Sequence, residues 1–225
     1  MENDKQKKIN LKINKSRIIV VFILLFSFIL ALFCYPLMPE RMASHWNIKG
    51  EVNGYMSKFW GVFLIPIISL FSLLIFLLIP KIDPLKTNIE KFRKYFDGFI
   101  VIFLLFLFYV FLLTILWNFG FEFNMNRFLL PAFGILFYYC GILIENSKRN
   151  WFIGIRTPWT MSNEKVWEKT HRLGGKLFKI AALIVLIGII FPNYAFYFAL
   201  IPAISFALYA VVYSYFVYRK ETRNR

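Results

Sequence analysis

The sequence predicts an all-α, polytopic membrane protein with six transmembrane helices and both termini in the cytoplasm. Three observations carry this. Apolar residues make up 59% of the 225 residues and aromatics 20%, with 28 Phe, whereas a soluble domain is nearer half apolar. The excess falls in long runs separated by short polar segments, the pattern of a chain that crosses a bilayer repeatedly. The basic residues behind the formal net charge of +15 sit at the ends of those runs, where they set topology and meet anionic headgroups. That placement points to membrane lipid as a partner and argues against direct nucleic-acid binding.

The expected spans are 18–37, 59–80, 98–117, 128–144, 177–191 and 194–218. About 20 helical residues cross the roughly 30 Å of hydrocarbon. The first four runs and the last are near or above that length. The first lacks a small-x-small cleavage site in a polar context and reads as a retained helix. The fifth is short and contains Lys179, which can snorkel to the interface. Pro192-Asn193 is a turn signal that makes the fifth and sixth runs a helical hairpin, and the sixth is long enough to tilt. The whole chain, 1–225, is expected to form one integral membrane domain.

Orientation follows from Lys and Arg. With the N-terminus inside, four of the 27 basic residues fall outside: Arg41, Lys49, Lys58 and Arg127. The amino-terminal segment contributes Lys5, Lys7, Lys8, Lys12, Lys15 and Arg17 to the inside, and the tail Arg219, Lys220, Arg223 and Arg225. The positive-inside rule therefore places both ends in the cytoplasm, on the inner side of a cell membrane. An odd number of spans would strand the basic tail, a second argument that the fifth run crosses. Trp60 and Trp117 fall at outer span ends, as interfacial anchors do, and Asn118 and Glu122 read as interface residues beside them. Cys34 and Cys140 belong to opposite leaflets, so no disulfide is expected between them; each reads as a small apolar residue.

Two segments are not explained by lipid. The outer loop, 38–58, is longer than a helix–helix turn requires. Gly50 and Asn53-Gly54 are turn residues, and His45-Trp46-Asn47 sets an imidazole, an indole and an amide together. A surface for a peptide partner, with Trp46 as anchor, and an interfacial loop with Trp46 at the headgroups fit it equally well.

The inner loop, 147–176, is the longest polar segment. Thr157-Pro158 forces an extended or turn conformation before Trp159. A short amphipathic cytoplasmic helix should follow between spans four and five. Ser162 is its expected N-cap, Glu164 suits its first turn, and Gly174-Gly175 would end it. Trp167 and His171 stand at i and i+4 on one face, and Trp167 and Leu173 could lie in the membrane interface. A docking surface is the functional reading of this segment, and an interfacial linker the favoured one.

Sharper chemistry finds little support. Glu164, Glu168 and His171 have metal-compatible spacing on a helix, but His45 lies across the membrane and no second copy of the motif exists, so no metal site and no cofactor is expected. His171 should make a local hydrogen bond or pair with Glu168 or Glu164. No Ser/His/Asp set, nucleophile elbow or phosphate loop appears, so no catalytic residues are assigned. The spans are nearly free of charge, with Asp97, Glu145 and Lys179 near their ends, which disfavours ion-coupled transport.

At these two loops the sequence resembles a known family. Pro39-Glu40-Arg41-x-x-x-His45-Trp46-Asn47-x-x-Gly50-x-x-x-Gly54 resembles the start of an uncharacterised membrane domain. It departs at Ala43, where that motif often has Pro. Asn150-x-x-x-Gly154-Ile155-Arg156-Thr157-Pro158-Trp159-Thr160, then Asn163-Glu164-x-Val166-Trp167-x-x-Thr170-His171-Arg172-x-Gly174-Gly175, resembles the C-terminal signature of the SdpI-type bacteriocin immunity proteins. Motif order and span number suit that family over nearly the whole chain. The resemblance implies a non-enzymatic membrane protein that gives resistance to a secreted antimicrobial peptide toxin. It also implies a receptor-like role, holding an ArsR-type transcriptional repressor at the cytoplasmic face. The outer residues Pro39, Glu40, His45, Trp46, Asn47, Gly50 and Gly54 would shape the first surface. The inner signature would shape the second. A small transporter, or an envelope regulator without a toxin, is the alternative.

Overall fold

The computed structural model describes residues 15–223; Lys5, Lys7, Lys8, Lys12 and Arg225, used above for topology, lie outside the described residues. Six long helices dominate: α1 (Lys15–Cys34), α2 (Lys58–Ile82), α4 (Arg93–Asn118), α5 (Met125–Asn146), α7 (Glu164–Ile187, prolonged by a 3-10 turn Gly188–Ile190) and α8 (Ala195–Arg223). Each is long and apolar enough to cross a membrane, and the chain is a helical, multi-pass membrane protein. Two short helices, α3 (Lys86–Lys91) and α6 (Pro158–Ser162), lie between spans. Large apolar side chains such as Phe22, Phe33, Phe71, Leu183 and Leu208 point outward. Lipid tails are as apolar as Leu, so nothing drives such residues inward.

The helices pack as two trios, α1–α2–α4 and α5–α7–α8, joined by α4 against α5. Phe96, Ile100 and Leu104 of α4 and Val20 and Ile23 of α1 fill the inner part of the first trio. Ala31, Cys34, Val62 and Phe111 fill its outer part. In the second trio, a β-carbon at Gly141 of α5 would sit 2.6 Å from the carbonyl oxygen of Gly175 of α7, and one at Gly175 would sit 2.7 Å from that of Gly141. Absent side chains let the two backbones meet, the usual way helices associate in lipid. Beside this contact Lys179 donates to Glu145, so the two span charges satisfy each other.

Three expectations are corrected. The outer loop is not a set of turns: β1 (Arg41–Trp46) and β2 (Val52–Ser57) form an antiparallel hairpin, with Met42 opposite Met56 and His45 opposite Gly54. It forms because Met42 and Ala43 are buried against α2 and α4, which pins one strand face to the helix ends. Next, α7 is continuous through Gly174-Gly175, so these glycines do not end a helix; Gly175 admits the backbone of α5 and Gly174 admits Ile155. The fifth span is therefore not short, and the separate amphipathic helix is replaced by α6 and the cytoplasmic extension of α7. Finally, the N-cap of α7 is Asn163, not Ser162: its side chain accepts from the backbone N–H of Lys165 and Val166 at 2.9 and 3.3 Å.

Candidate functional site

The outer hairpin is held by asparagines that bond to backbone. Asn118, at the end of α4, accepts from the Ala43 N–H at 2.8 Å and donates to the Ala43 carbonyl at 3.0 Å. It closes the open edge of β1 and is a clamp, not the interface residue read from the sequence. A proline at 43, common in the motif this loop resembles, has no N–H to give Asn118. Asn47 builds the turn: its Oδ1 accepts from the N–H of Lys49 and Glu51 at 2.8 and 3.1 Å, in the manner of an Asx turn. Gly50 closes it at φ 81, a left-handed conformation that favours glycine. Asn124 and Asn126 then donate to the Lys49 and Ile48 carbonyls at 2.9 and 2.8 Å, docking the turn on the start of α5.

This framework leaves particular side chains free to meet a partner. His45 is exposed and sits 2.5 Å from the Asn53 Oδ1. Gly54 lies opposite, where a β-carbon would stand 2.9 Å from that of His45. Trp46 packs edge-on against Trp117, centroids 5.9 Å apart, and its buried indole N–H has no acceptor among the described residues. Pro39 and Glu40 are exposed at the entry to β1, with Glu40 ion-paired to Lys58 at 2.9 Å. Beside the turn opens a cleft of about 980 Å³, lined by Lys49, Glu51, Trp117, Glu122, Tyr194 and Tyr197 among others.

The inner signature is built in the opposite way, inward. Asn150 is completely buried; its Oδ1 accepts from Phe152 and Ile153, and its amide donates to the Lys148 and Ile153 carbonyls. All of its capacity is spent on folding one tight turn. Gly154 follows at φ 117, and a β-carbon there would lie 2.3 Å from His171 Nε2. The next residue, Ile155, donates its N–H to that Nε2 at 2.9 Å. Because Nε2 accepts, the ring hydrogen must be on Nδ1, which lies 2.8 Å from the Trp167 carbonyl; both bonds require the neutral imidazole. Trp167 stacks on the ring at 3.8 Å, is fully buried, and donates its indole N–H to the Ser147 carbonyl at 3.0 Å. The reading of Trp167 as an interfacial side chain is therefore corrected. Of the two readings of His171 the local hydrogen bond holds, to the Trp167 carbonyl, and not the carboxylate pair: Glu168 pairs with Lys148 at 3.3 Å instead. With both ring nitrogens engaged, His171 has no lone pair left for a metal.

Thr157 and Thr160 form a reciprocal capping box around Pro158 at the start of α6, the arrangement that satisfies orphan N–H groups at a helix start. Thr157 also contacts Ser214 of α8 at 3.0 Å, and Trp159 packs against Tyr215 of α8. Arg156 donates to the Trp151 carbonyl. Gly174 makes room for Ile155, whose Cδ1 a β-carbon would meet at 2.4 Å. Of the signature residues on α7, Glu164 and Arg172 are exposed, and Arg172 lines a cleft shared with α8.

Two connecting residues escaped the sequence reading. Asp83, almost fully buried after α2, accepts from the Trp151 N–H at 2.9 Å and the Leu85 N–H at 2.6 Å. Asn88 of α3 donates to the Arg149 carbonyl at 2.8 Å. Together they tie the first trio to the inner signature. The Asp83-Pro84 turn dipeptide was the available signal.

Comparison with known proteins matches these two regions separately. Residues 146–215 match the SdpI/YfhL protein family, and residues 22–70 match a domain of unknown function, DUF1648. Over 212 residues the chain is 26% identical to the Immunity protein SdpI of Bacillus subtilis (strain 168), an alignment covering 94% of this chain and 100% of that protein. No solved structure matches the chain. The inner signature and most of the α7–α8 hairpin lie within the SdpI/YfhL match, and the outer hairpin, with much of α1 and the first half of α2, within the DUF1648 match.

Proposed function

We propose that the chain is a non-enzymatic immunity protein that meets a secreted antimicrobial peptide at its outer face and holds a transcriptional repressor at its inner face. The observation that carries the outer half is the cleft beside the hairpin turn. Lys49, Glu51 and Val52 come to it from the DUF1648 region, and Tyr194 and Tyr197 from the SdpI/YfhL region. A ligand there touches both halves of the chain at once. Its walls mix aromatic faces with a few charges, which suits an amphipathic peptide. Asn47, Gly50 and Gly54 shape the hairpin, and His45 and Trp46 present the contact. The name of the Bacillus subtilis relative supports the same role.

For the inner half, the signature residues Asn150, Gly154, Thr157, Thr160, Trp167 and His171 are consumed by the fold. The surface offered to a repressor is what they project: Trp151, 53% exposed, Phe152 and Arg156. The test is expression in a peptide-sensitive bacterium grown in spent medium of a strain that encodes this chain. Survival should rise with the intact chain and fall back with Tyr197→Ala in the cleft. If no secreted peptide from the encoding organism is neutralised, the immunity reading is lost.

A further inference from the structure

The inner ends of α7 and α8 form a second cleft that the proposed immunity role does not use, and we propose that it binds the headgroup of an anionic phospholipid from the inner leaflet. Lys169, Arg172 and Lys176 recur at i, i+3 and i+7, which places them on one face of α7. Tyr213, Phe216, Val217 and Lys220 recur at matching intervals on α8. The two faces enclose about 550 Å³. Lys169 is committed to Glu221 at 2.6 Å. Arg172, Lys176 and Lys220 are exposed, and none of the three has a carboxylate partner among the described residues. Glu221 also lines the cleft and senses the charge of Lys220 as well as Lys169, so four cations face a single carboxylate and the cavity keeps a net positive charge.

Depth selects the occupant. Lys176 immediately precedes the apolar run that starts at Leu177, and Lys220 follows soon after the apolar run that ends at Tyr218. Both therefore stand at the level of the headgroups, on the side the positive-inside rule assigns to the cytoplasm. Below the cations the α8 wall turns apolar, with Val217 and the outward-facing Phe216. A soluble polyanion would neutralise the cations but leave Phe216 exposed. A phospholipid satisfies both parts, its phosphate among Arg172, Lys176 and Lys220 and an acyl chain along Phe216 and Val217. Basic pockets between helices at a cytoplasmic membrane face are suited to such headgroups. A lipid seated there bridges α7 to α8 beside the Lys169–Glu221 pair.

The test is native mass spectrometry of the full chain in detergent, titrated with phosphatidylglycerol, phosphatidylcholine, inorganic phosphate or a poly-glutamate peptide. Phosphatidylglycerol should be retained far better than phosphatidylcholine. A Lys or Arg near an anionic surface is worth about fivefold in affinity, so Arg172→Ala/Lys176→Ala/Lys220→Ala should weaken retention on the order of 100-fold. Lys220→Ala alone should lower it about fivefold in a chain whose span packing is untouched. Lys86→Ala/Lys91→Ala/Lys94→Ala, which removes as much inner-face charge elsewhere, should leave it unchanged. Equal retention of phosphatidylcholine, or an equal loss in the Lys86/Lys91/Lys94 variant, overturns the proposal. So does displacement by inorganic phosphate, which would show an anion site without lipid, or by poly-glutamate at lower concentration than the lipid, which would show a protein-docking surface.

Discussion

Two tryptophans define the difference between the outer and inner faces. Trp167 is fully buried, stacked on His171, and bonded through its indole N–H to the Ser147 carbonyl. Trp46 is half-buried, meets Trp117 edge-on, and keeps an indole N–H without an acceptor among the described residues. Around Trp167, side chains bond inward to backbone, and the motif is a description of a fold. Around Trp46, Asn118, Asn124 and Asn126 bond to the hairpin from beneath and Asn47 builds its turn, while His45 and other side chains of the opposite strand face are left to face out. A sequence signature can thus mark a keystone or a contact surface. Side-chain hydrogen-bond direction separates the two.

The comparison breaks most visibly at Trp167. Trp167→Ala removes a fully buried aromatic and should destabilise by about 3–5 kcal/mol, seen as a lower unfolding temperature in detergent and a lower level in the membrane. Trp167→Phe keeps the stack but orphans the Ser147 carbonyl, and should lose about 1–3 kcal/mol. If Trp167→Ala were as stable as the parent, the inner loop would not be the keystone described here.

Gly154→Ala should come next. The new methyl meets His171 Nε2 at a distance no real contact shows, and the φ of 117 is strained for any β-carbon. Strain of about 1–3 kcal/mol adds to loss of the bond between Ile155 and His171, about 1–3 kcal/mol. His171→Ala in the same chain removes the clash but not the strain. The double variant should therefore be less destabilised than the sum of the singles, and strict additivity would show that the two residues do not meet.

At the outer face the effect should be smaller and local. Asn118→Ala removes both bonds to Ala43 and should loosen the hairpin by about 1–2 kcal/mol. Hydrogen exchange should quicken in 41–57 while α7 and the inner loop keep their protection. Quickened exchange at the inner loop would mean that the two faces are mechanically coupled rather than independent.

These contrasts were unequally legible in the sequence. Length and hydropathy of the apolar runs located all six long helices, because lipid imposes a composition that does not depend on neighbours. The ends of α7 were misread because Gly174-Gly175 looks the same whether it stops a helix or admits another; only the position of Gly141 on α5 decides. The hairpin was missed because its strands are short and lack strict alternation, and its edge is satisfied by Asn118, far away in sequence. The outer candidates His45 and Trp46 do stand together on one hairpin. The inner candidates were found as a set, yet their role was inverted: periodicity put Trp167 and His171 on one face, but could not reveal that Ile155 and Ser147 cover it.

The smallest change in stability should carry the largest change in proposed function. His45 is exposed, and its ring is hydrogen-bonded with Asn53, also at the surface. His45→Ala should shift stability by no more than about 0.5 kcal/mol, as surface substitutions do, and α7 should be unaffected. If the hairpin meets the peptide, protection of sensitive cells should fall although the protein reaches the membrane at its normal level. Gly54→Ala perturbs the same place by another route: its methyl would stand 2.9 Å from the His45 β-carbon, so the paired strands must shift and the hairpin should loosen locally. Loss of protection in both variants, with the unfolding temperature of His45→Ala unchanged, would place the contact at the outer hairpin. Full protection in both would move it off His45 and into the neighbouring cleft, where Tyr197→Ala would then have to be the variant that fails.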